Sequence, residues 1–592
     1  MHRLRVLSVA AATGLALAVS GCVGESQLPT VPTTGRPPVP SATRAADAAV
    51  GTVLRPSQGK GGTLRFGMAG DWDSVDPGNT YDTASWNFLR NYARTLVVIR
   101  ASPGQTGTTL VPDLATSLGT PSDKNRTWTY TLRDGIRFED GTPITSKDIK
   151  YAVARSLDKS TLPNGPTYWA TFLADVPTGY SVYQDKNLDD LTSIDTPDEK
   201  TIVFHLKTGF AGFDYLAQLP STAPVPAAKD TGATYRQNIV SSGPYMFTSY
   251  DAGKRYELGR NPNYDPLTDP DSGRAALPNN ITVELGLTAD DVDARLQNGD
   301  LDVDLAGEGV QNSSRVAMLA SSTLKAMTDV PSTPSTKMTA INSNVAPLDR
   351  LDCRKAVLLA YDKSGYLSAS GGTTEGDIAS SLLSPAPPGQ GQVDLYHAKD
   401  KPTGDLEGAR AALKRCGRPN GFAMNLAYRS EQPSEQTVAE SLQRSLGRVG
   451  IAVTVTAYPS SYFNRRYAGN PAYARANRLG LVVYGWRPNW PDGVDFLGQI
   501  LDSRAVRSSD NSNLAIDGPT GASMIEAATA ETNGTQTNAI WPLANRRVME
   551  NAGVIPGVWG HPLFYRPSNL TNLFVNPAFA QYDYVAMGTS RR

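Results

Sequence analysis

The stretch from Phe422 to Val455 constrains the fold more than any other part of the 592-residue chain. Phe422 to Tyr428 reads as a strand. Ser434 reads as the cap of a helix whose apolar stripe, Val438, Leu442, Leu446 and Val449, keeps helical spacing, and Gly450 stops it. Ile451, Val453 and Val455 then alternate with polar neighbours, the pattern of a strand with one buried face. Strand, helix, strand in that order implies a parallel pair and a right-handed crossover. Strand and helix patterns alternate along most of the chain, so the fold class is α/β, and the length calls for two or three lobes instead of one core.

Earlier segments agree. Leu64 and Phe66 alternate against polar neighbours, as do Trp128, Tyr130 and Leu132. Asp134-Gly135 turns the chain toward Ile136 and Phe138, and Asp140-Gly141 makes a second turn. Thr145 with Asp148 three positions on is a capping-box pattern, and Ile149, Ala152, Val153 and Leu157 follow at helical spacing.

The N-terminus carries an address. Arg3 and Arg5 precede an apolar run from Val6 to Ser20, the length of an export signal and too short for a comfortable membrane span. It ends in Val19-Ser20-Gly21-Cys22, which resembles the lipobox of bacterial lipoproteins, where the cysteine is acylated and the chain is cut before it. Residues 1–21 are then a signal peptide. Residues 22–60, rich in Pro, Thr, Ser, Gly and Ala, read as a flexible tether. In an exported chain Cys353 and Cys416, the remaining cysteines, are expected to pair. A formal net charge of -1 and the lack of basic, aromatic-laced tracts exclude a nucleic-acid partner.

No catalytic motif is legible. There is no G-x-S-x-G elbow, no H-E-x-x-H and no phosphate-binding Gly-Lys-Ser/Thr loop. His205 sits in a strand-like run, while His397 and His561 lie in polar, proline-flanked segments. Nothing in their spacing favours a metal site. Asp71, Asp73 and Asp76 open like a calcium loop but lack its glycine and distal glutamate. The sequence implies no cofactor and no enzyme.

Gly485 to Phe496, "GWRPNWPDGVDF", sets Trp486 and Trp490 around a Pro-Asp-Gly turn with Asp492 and Asp495 beside it, the mixture of a mouth that holds something. Together with "WTYTLRDGIRFEDGTPITSKDIKYAVARSLD" from Trp128, "SSGPYMFTSYDAGKRYELGRNPNYD" from Ser241, "LDCRKAVLLAYDK" from Leu351 and "LGRVGIAVTV" from Leu446, it resembles, in order, the peptide-type extracellular solute-binding proteins of ABC importers, family 5. The match covers nearly all of residues 61–592.

The resemblance implies two periplasmic-binding-protein-like lobes joined by a hinge, with an extra domain inserted in the first. Lobe I would comprise 61–96, 192–336 and 546–592, the insert 97–191, and lobe II 337–545. It implies a monomeric lipoprotein, held by lipid to the outer face of the cytoplasmic membrane, that delivers peptides or peptide-like solutes to a permease and its ATPase. A non-peptide solute (oligosaccharide, opine or metal chelate) is the alternative within this fold, and a secreted hydrolase the alternative outside it. The segment around Trp486 would line the cleft. Three positions after that tryptophan, peptide binders often carry an Asp that pairs with the peptide's α-ammonium, and here Asn489 stands there. Either Asp492 or Asp495 supplies the charge from another angle, or the ligand has no free amino end. Ser85 and Trp86 in "TASWNF" and Tyr168 in "PTYWATF" match other segments that touch ligand in the family.

Overall fold

A computed structural model describes residues 45–184, 187–331, 335–384, 393–487, 496–497, 506, 523–524 and 534–591. Two large sheets organise it. The first runs in the order Val303–Asp304, Thr63–Ala69, Asn280–Leu287, Arg255–Arg260, Tyr245–Asp251. Thr63–Ala69 is parallel to both neighbours, with Phe66 opposite Val283 on one side and Val303 on the other. The helix Ala289–Asn298 makes that crossover. Thr288 and Asp291 cap it reciprocally, and Gly299, at φ 81°, ends it in the left-handed conformation that glycine adopts without strain.

The second large sheet has six strands, ordered Gly376–Ile378, Val554–Gly560, Thr336–Ile341, Leu479–Trp486, Ala423–Arg429, Ala452–Tyr458. The last two are parallel and bracket the helix Pro433–Gly447, the strand–helix–strand unit that the sequence predicts. That helix starts two residues earlier than expected: Gln432 is its cap, Pro433 occupies the first turn, and Ser434 lies inside. Cys353, in the helix Leu351–Ala360, and Cys416, at the end of the helix Leu406–Arg415, are joined by a disulfide with Cα atoms 5.3 Å apart.

Three expected boundaries move. Ile194–Asp195 and Thr201–His205 belong to a four-stranded antiparallel sheet with Thr120–Ser122 and Thr127–Thr131, so the inserted unit continues past residue 191. Trp128 pairs with Phe204 there, and Trp169 stacks on Phe204 at 5.6 Å, a core that could not close without those strands. Val554–Gly560 lies inside the second large sheet, so the span 546–592 is divided between the lobes after Gly560. The tether ends well before Lys60: Ala49 and Leu54 are buried, Leu54 bridges Leu573, and Arg55 donates to the carbonyls of Pro567 and Leu570.

The chain crosses between the large sheets at two neighbouring places. One lies between Asp329 and Thr336, the other between Gly560 and Phe564, and Thr328–Asp329 pairs with Phe564–Tyr565 where they start on the first lobe. Buried Arg566 donates to Asp329, whose other oxygen accepts from Tyr582 at 2.6 Å and whose Oδ1 also accepts from Ala49 N. The hinge is therefore framed on its first-lobe side by a closed polar cluster.

Candidate functional site

Between the two sheets lies a cavity of about 480 Å³, within the range of small-ligand pockets. Its first-lobe wall is the loop Asp71–Thr83. Asp73 holds this loop in shape by accepting from Thr80 Oγ1, Tyr81 N, Asp82 N and, through its other oxygen, Ser85 Oγ at 2.6 Å. Burial nevertheless pushes the Asp73 carboxyl up to about 6. Behind the loop, buried Arg155 forks onto both oxygens of Asp76 at 2.7 and 2.8 Å and reaches Asp230 through Nε at 2.8 Å. Its guanidinium lies over Tyr235.

Tyr81 carries the wall across the cleft. Its ring is 6.2 Å from that of Trp486 at the end of the strand Leu479–Trp486. Trp486 Nε1 donates to Phe496 O at 2.8 Å, which fixes the indole plane. The second lobe adds Tyr366, Arg429, Glu435, Tyr484 and Arg487. Arg429 Nε and its own backbone N–H bond to the two oxygens of Glu435. Glu375 takes Lys337 and, at 2.6 Å, Arg315 from the first lobe. Trp72 Nε1, Ser370 Oγ and Tyr484 Oη belong to wall residues, are buried, and have no hydrogen-bond partner among the described residues. Buried polar atoms are rarely left so unless something else completes them.

The residues singled out from sequence fall into three groups. Trp486 lines the cavity. Ser85, Trp86 and Tyr168 stand one layer back: Ser85 bonds Asp73, the Trp86 ring packs 6.0 Å from Tyr81, and Tyr168 Oη meets Tyr81 Oη at 3.2 Å. Asn489, Trp490, Asp492 and Asp495 lie outside the described residues, as does Cys22. The sequence reading missed Trp72, Tyr81, Asp82, Glu308 and Arg429, all of which line the cavity. Glu308 had a signal: it sits in Ala306-Gly307-Glu308-Gly309-Val310, a charge between two glycines. Gly307 has φ +62°, in the left-handed region that favours glycine, and a Cβ there would also press on the Gln581 side chain.

Two carboxylates brace that loop. Asp304 accepts from Gly309 N at 3.1 Å and buried Asp293 accepts from Gln311 N at 2.7 Å. Burial, reinforced by their mutual repulsion and by Asp290, pushes Asp293 up to about 7. Its folded value is above the ordinary carboxylate value of about 4, so its contribution to stability is fully present below pH ~4 and is lost as pH rises through ~7. Thermal unfolding of Asp293→Asn, which keeps the acceptor for Gln311, is expected to show a gain over wild type at pH 8.5 that shrinks at pH 5. The ceiling is about 4 kcal/mol. Parallel pH profiles for the two proteins would contradict it.

A two-walled cavity at a double-stranded hinge is the geometry of a binding protein that closes on its solute. The model for bacterial extracellular solute-binding proteins, family 5 Middle, matches residues 109–508. This chain belongs to that family. The family 5 chain is 38% identical to clavulanic acid biosynthesis oligopeptide binding protein 2, whose structure it matches with a TM-score of 0.84 over 93% of this chain and 100% of that one. The Helicobacter pylori periplasmic binding protein DppA, solved with the peptide STSA, shares the fold at a TM-score of 0.73 and 18% identity, over 90% and 99% of the two chains. The probable D,D-dipeptide-binding periplasmic protein DdpA of Escherichia coli K12 is 25% identical over 83% of this chain and 87% of that protein. The family is described as one of extracellular solute-binding proteins, and the relatives named above are binding proteins. Among the described residues no helix is long and apolar enough to cross a membrane, and no cluster of three potential metal ligands occurs.

Proposed function

We propose that this protein is the solute-binding lipoprotein of an ABC importer, capturing peptides or peptide-like solutes between its lobes and presenting them to a permease and its ATPase. The observation that carries the reading is the interlobe cavity, walled by both sheets and bridged by Tyr81 and Trp486. A solute that touches both walls stabilises the closed form by its differential contacts, which is what a permease can read. The names of relatives support peptides: a dipeptide-binding protein, a di/tripeptide-binding protein of Pseudomonas aeruginosa and the oligopeptide-binding protein of Salmonella typhimurium.

In this reading Cys22 carries the lipid, the protein acts as a monomer, and the segment Trp486, Asn489, Trp490, Asp492 and Asp495 faces the solute, with Ser85, Trp86 and Tyr168 supporting the opposite wall. Mass spectrometry of protein isolated from its native membrane tests it twice over. The N-terminal fragment should be diacylated or triacylated at Cys22, and the released solute should be a peptide. An unmodified N-terminus removes the anchor, and a non-peptide solute removes the cargo. Trp490→Ala should weaken binding of that solute by about 1–3 kcal/mol, one aromatic contact, with unchanged melting. Wild-type affinity in calorimetric titration would put Trp490 outside the cleft.

A further inference from the structure

One guanidinium joins the lobes behind the cavity. Arg315 lies on the helix Asn312–Ala320, which is fastened to the first lobe. Gln311 N donates to Asp293 at 2.7 Å, Ser313 Oγ donates to Asp290 at 2.6 Å, and Met318 packs with Val310 and Leu563. Opposite it stands the second-lobe turn Gly372–Thr374 with Glu375, which runs on into the strand Gly376–Ile378 and its pairing with Val554–Gly560. Arg315 reaches that turn with both Nη atoms. Nη1 donates to Glu375 at 2.6 Å, and Nη2 donates to the carbonyls of Thr374 and, at 2.9 Å, His561. His561 lies on the crossing between Gly560 and Phe564, and its own N–H donates to Glu375 O at 2.6 Å. Close by, Gly371, at φ 123°, sets its backbone against the Asn312 side chain.

Arg315 is 2% exposed and is not a wall residue, whereas Glu375 and its other partner, Lys337, both line the cavity. A guanidinium is rigid and planar, so three acceptors around one fork are met together at one lobe angle. A rotation about the crossings that carries Glu375 away from the helix breaks the pair and separates two charges that were buried together. Arg315 Nε is buried without a partner among the described residues, and an unpaired donor counts against the closed form.

We propose that Arg315 is a positioning residue for closure: its bonds to Glu375 and Thr374 exist only at the closed lobe angle, so it raises the affinity for every solute by the same factor while touching none. This rests on the reading of a cleft that closes on its solute, and assigns part of the closing equilibrium to the protein itself. The unpaired Nε keeps that part small enough for the lobes to reopen. Apparent affinity scales with the fraction of protein in the binding-competent form. A residue outside the cavity that shifts this fraction changes all affinities alike, whereas a wall residue discriminates between solutes.

The test compares wild type, Arg315→Met and Arg315→Gln as detergent-solubilised mature protein. Spin labels at Asp251 on the first lobe and Arg444 on the second, both exposed positions, report the distance between the lobes. Calorimetry with alanine tripeptide and alanine pentapeptide reports affinity. Without peptide, both variants are expected to populate longer distances than wild type, and saturating peptide should restore the wild-type closed distance. Both peptides should bind about tenfold more weakly, by the same factor. A merely structural role would lower the melting temperature and leave the distances in place. Unchanged distances, or a loss confined to one peptide, overturn the proposal and leave the cleft reading standing. If wild type binds neither peptide, the peptide reading falls and the distances alone decide the role of Arg315. Should Arg315→Met fail to fold, Arg315→Gln carries the same expectation.

Discussion

Arg155→Met is expected to lower the unfolding free energy by about 3–5 kcal/mol, the usual cost of removing one partner from a buried ion pair. The side chain is fully buried and joins two carboxylates, Asp76 and Asp230, that have been brought together around it. Methionine fills much of the volume but leaves both acids without their shared cation. Arg155→Lys should recover only part of the loss, because one ammonium cannot reproduce a planar fork that bonds Asp76 through both Nη atoms and Asp230 through Nε. Urea unfolding at neutral pH measures it, and a loss under 1 kcal/mol for Arg155→Met would refute the assignment. Solute affinity should fall as well, since Asp76 anchors the loop that carries Tyr81 and Asp82 into the cleft.

The second large effect concerns Cys353 and Cys416. Their bond closes a loop with a sequence separation of 63. On the chain-entropy model such a loop restricts the unfolded chain enough to stabilise the fold by about 4 kcal/mol. The double variant Cys353→Ala/Cys416→Ala should therefore melt well below the oxidised wild type. Wild type unfolded under strong reductant should approach the variant, because both then have an unrestricted chain. Both cysteines are buried in the second-lobe core, so the small cavities left by alanine add to the loss. Equal melting of the variant and the oxidised protein would show that the bond contributes nothing.

Legibility in the sequence tracked the range of the interactions. The unit from Ala423 to Tyr458 was readable because its helix stripe and alternating strand are local, and the Thr145–Asp148 capping box closes within one turn. The family segments added the two-lobed arrangement. What escaped were the partnerships between distant residues. Val554–Gly560 is buried on both faces, so it has no alternation to show which sheet it enters. Thr201–His205 looks like any short strand until Thr127–Thr131 is placed beside it. In the cleft, Asp82 and Arg429 are ordinary charges in sequence, and Glu308 is marked only by its flanking glycines. Their meaning depends on facing one another from elements more than a hundred residues apart. Trp86 and Tyr168 illustrate the converse, since an aromatic residue in a recognised segment supports the wall from behind and leaves the surface to Tyr81.

The late position of Val554–Gly560 gives the second sheet contacts of long sequence separation. That strand lies between Gly376–Ile378 and Thr336–Ile341, so the edge strand Gly376–Ile378 joins the second sheet only through it. The first lobe has longer ones still, because Leu54 and Arg55 near its beginning are satisfied by residues 567–573 near its end. Contacts of such sequence separation are closed slowly, since the loop entropy is spent before any pairing repays it. The strand Val554–Gly560 and the residues 567–573 thus complete one lobe each: the first attaches Gly376–Ile378 to the second sheet, and the second closes the first lobe over Leu54 and Arg55.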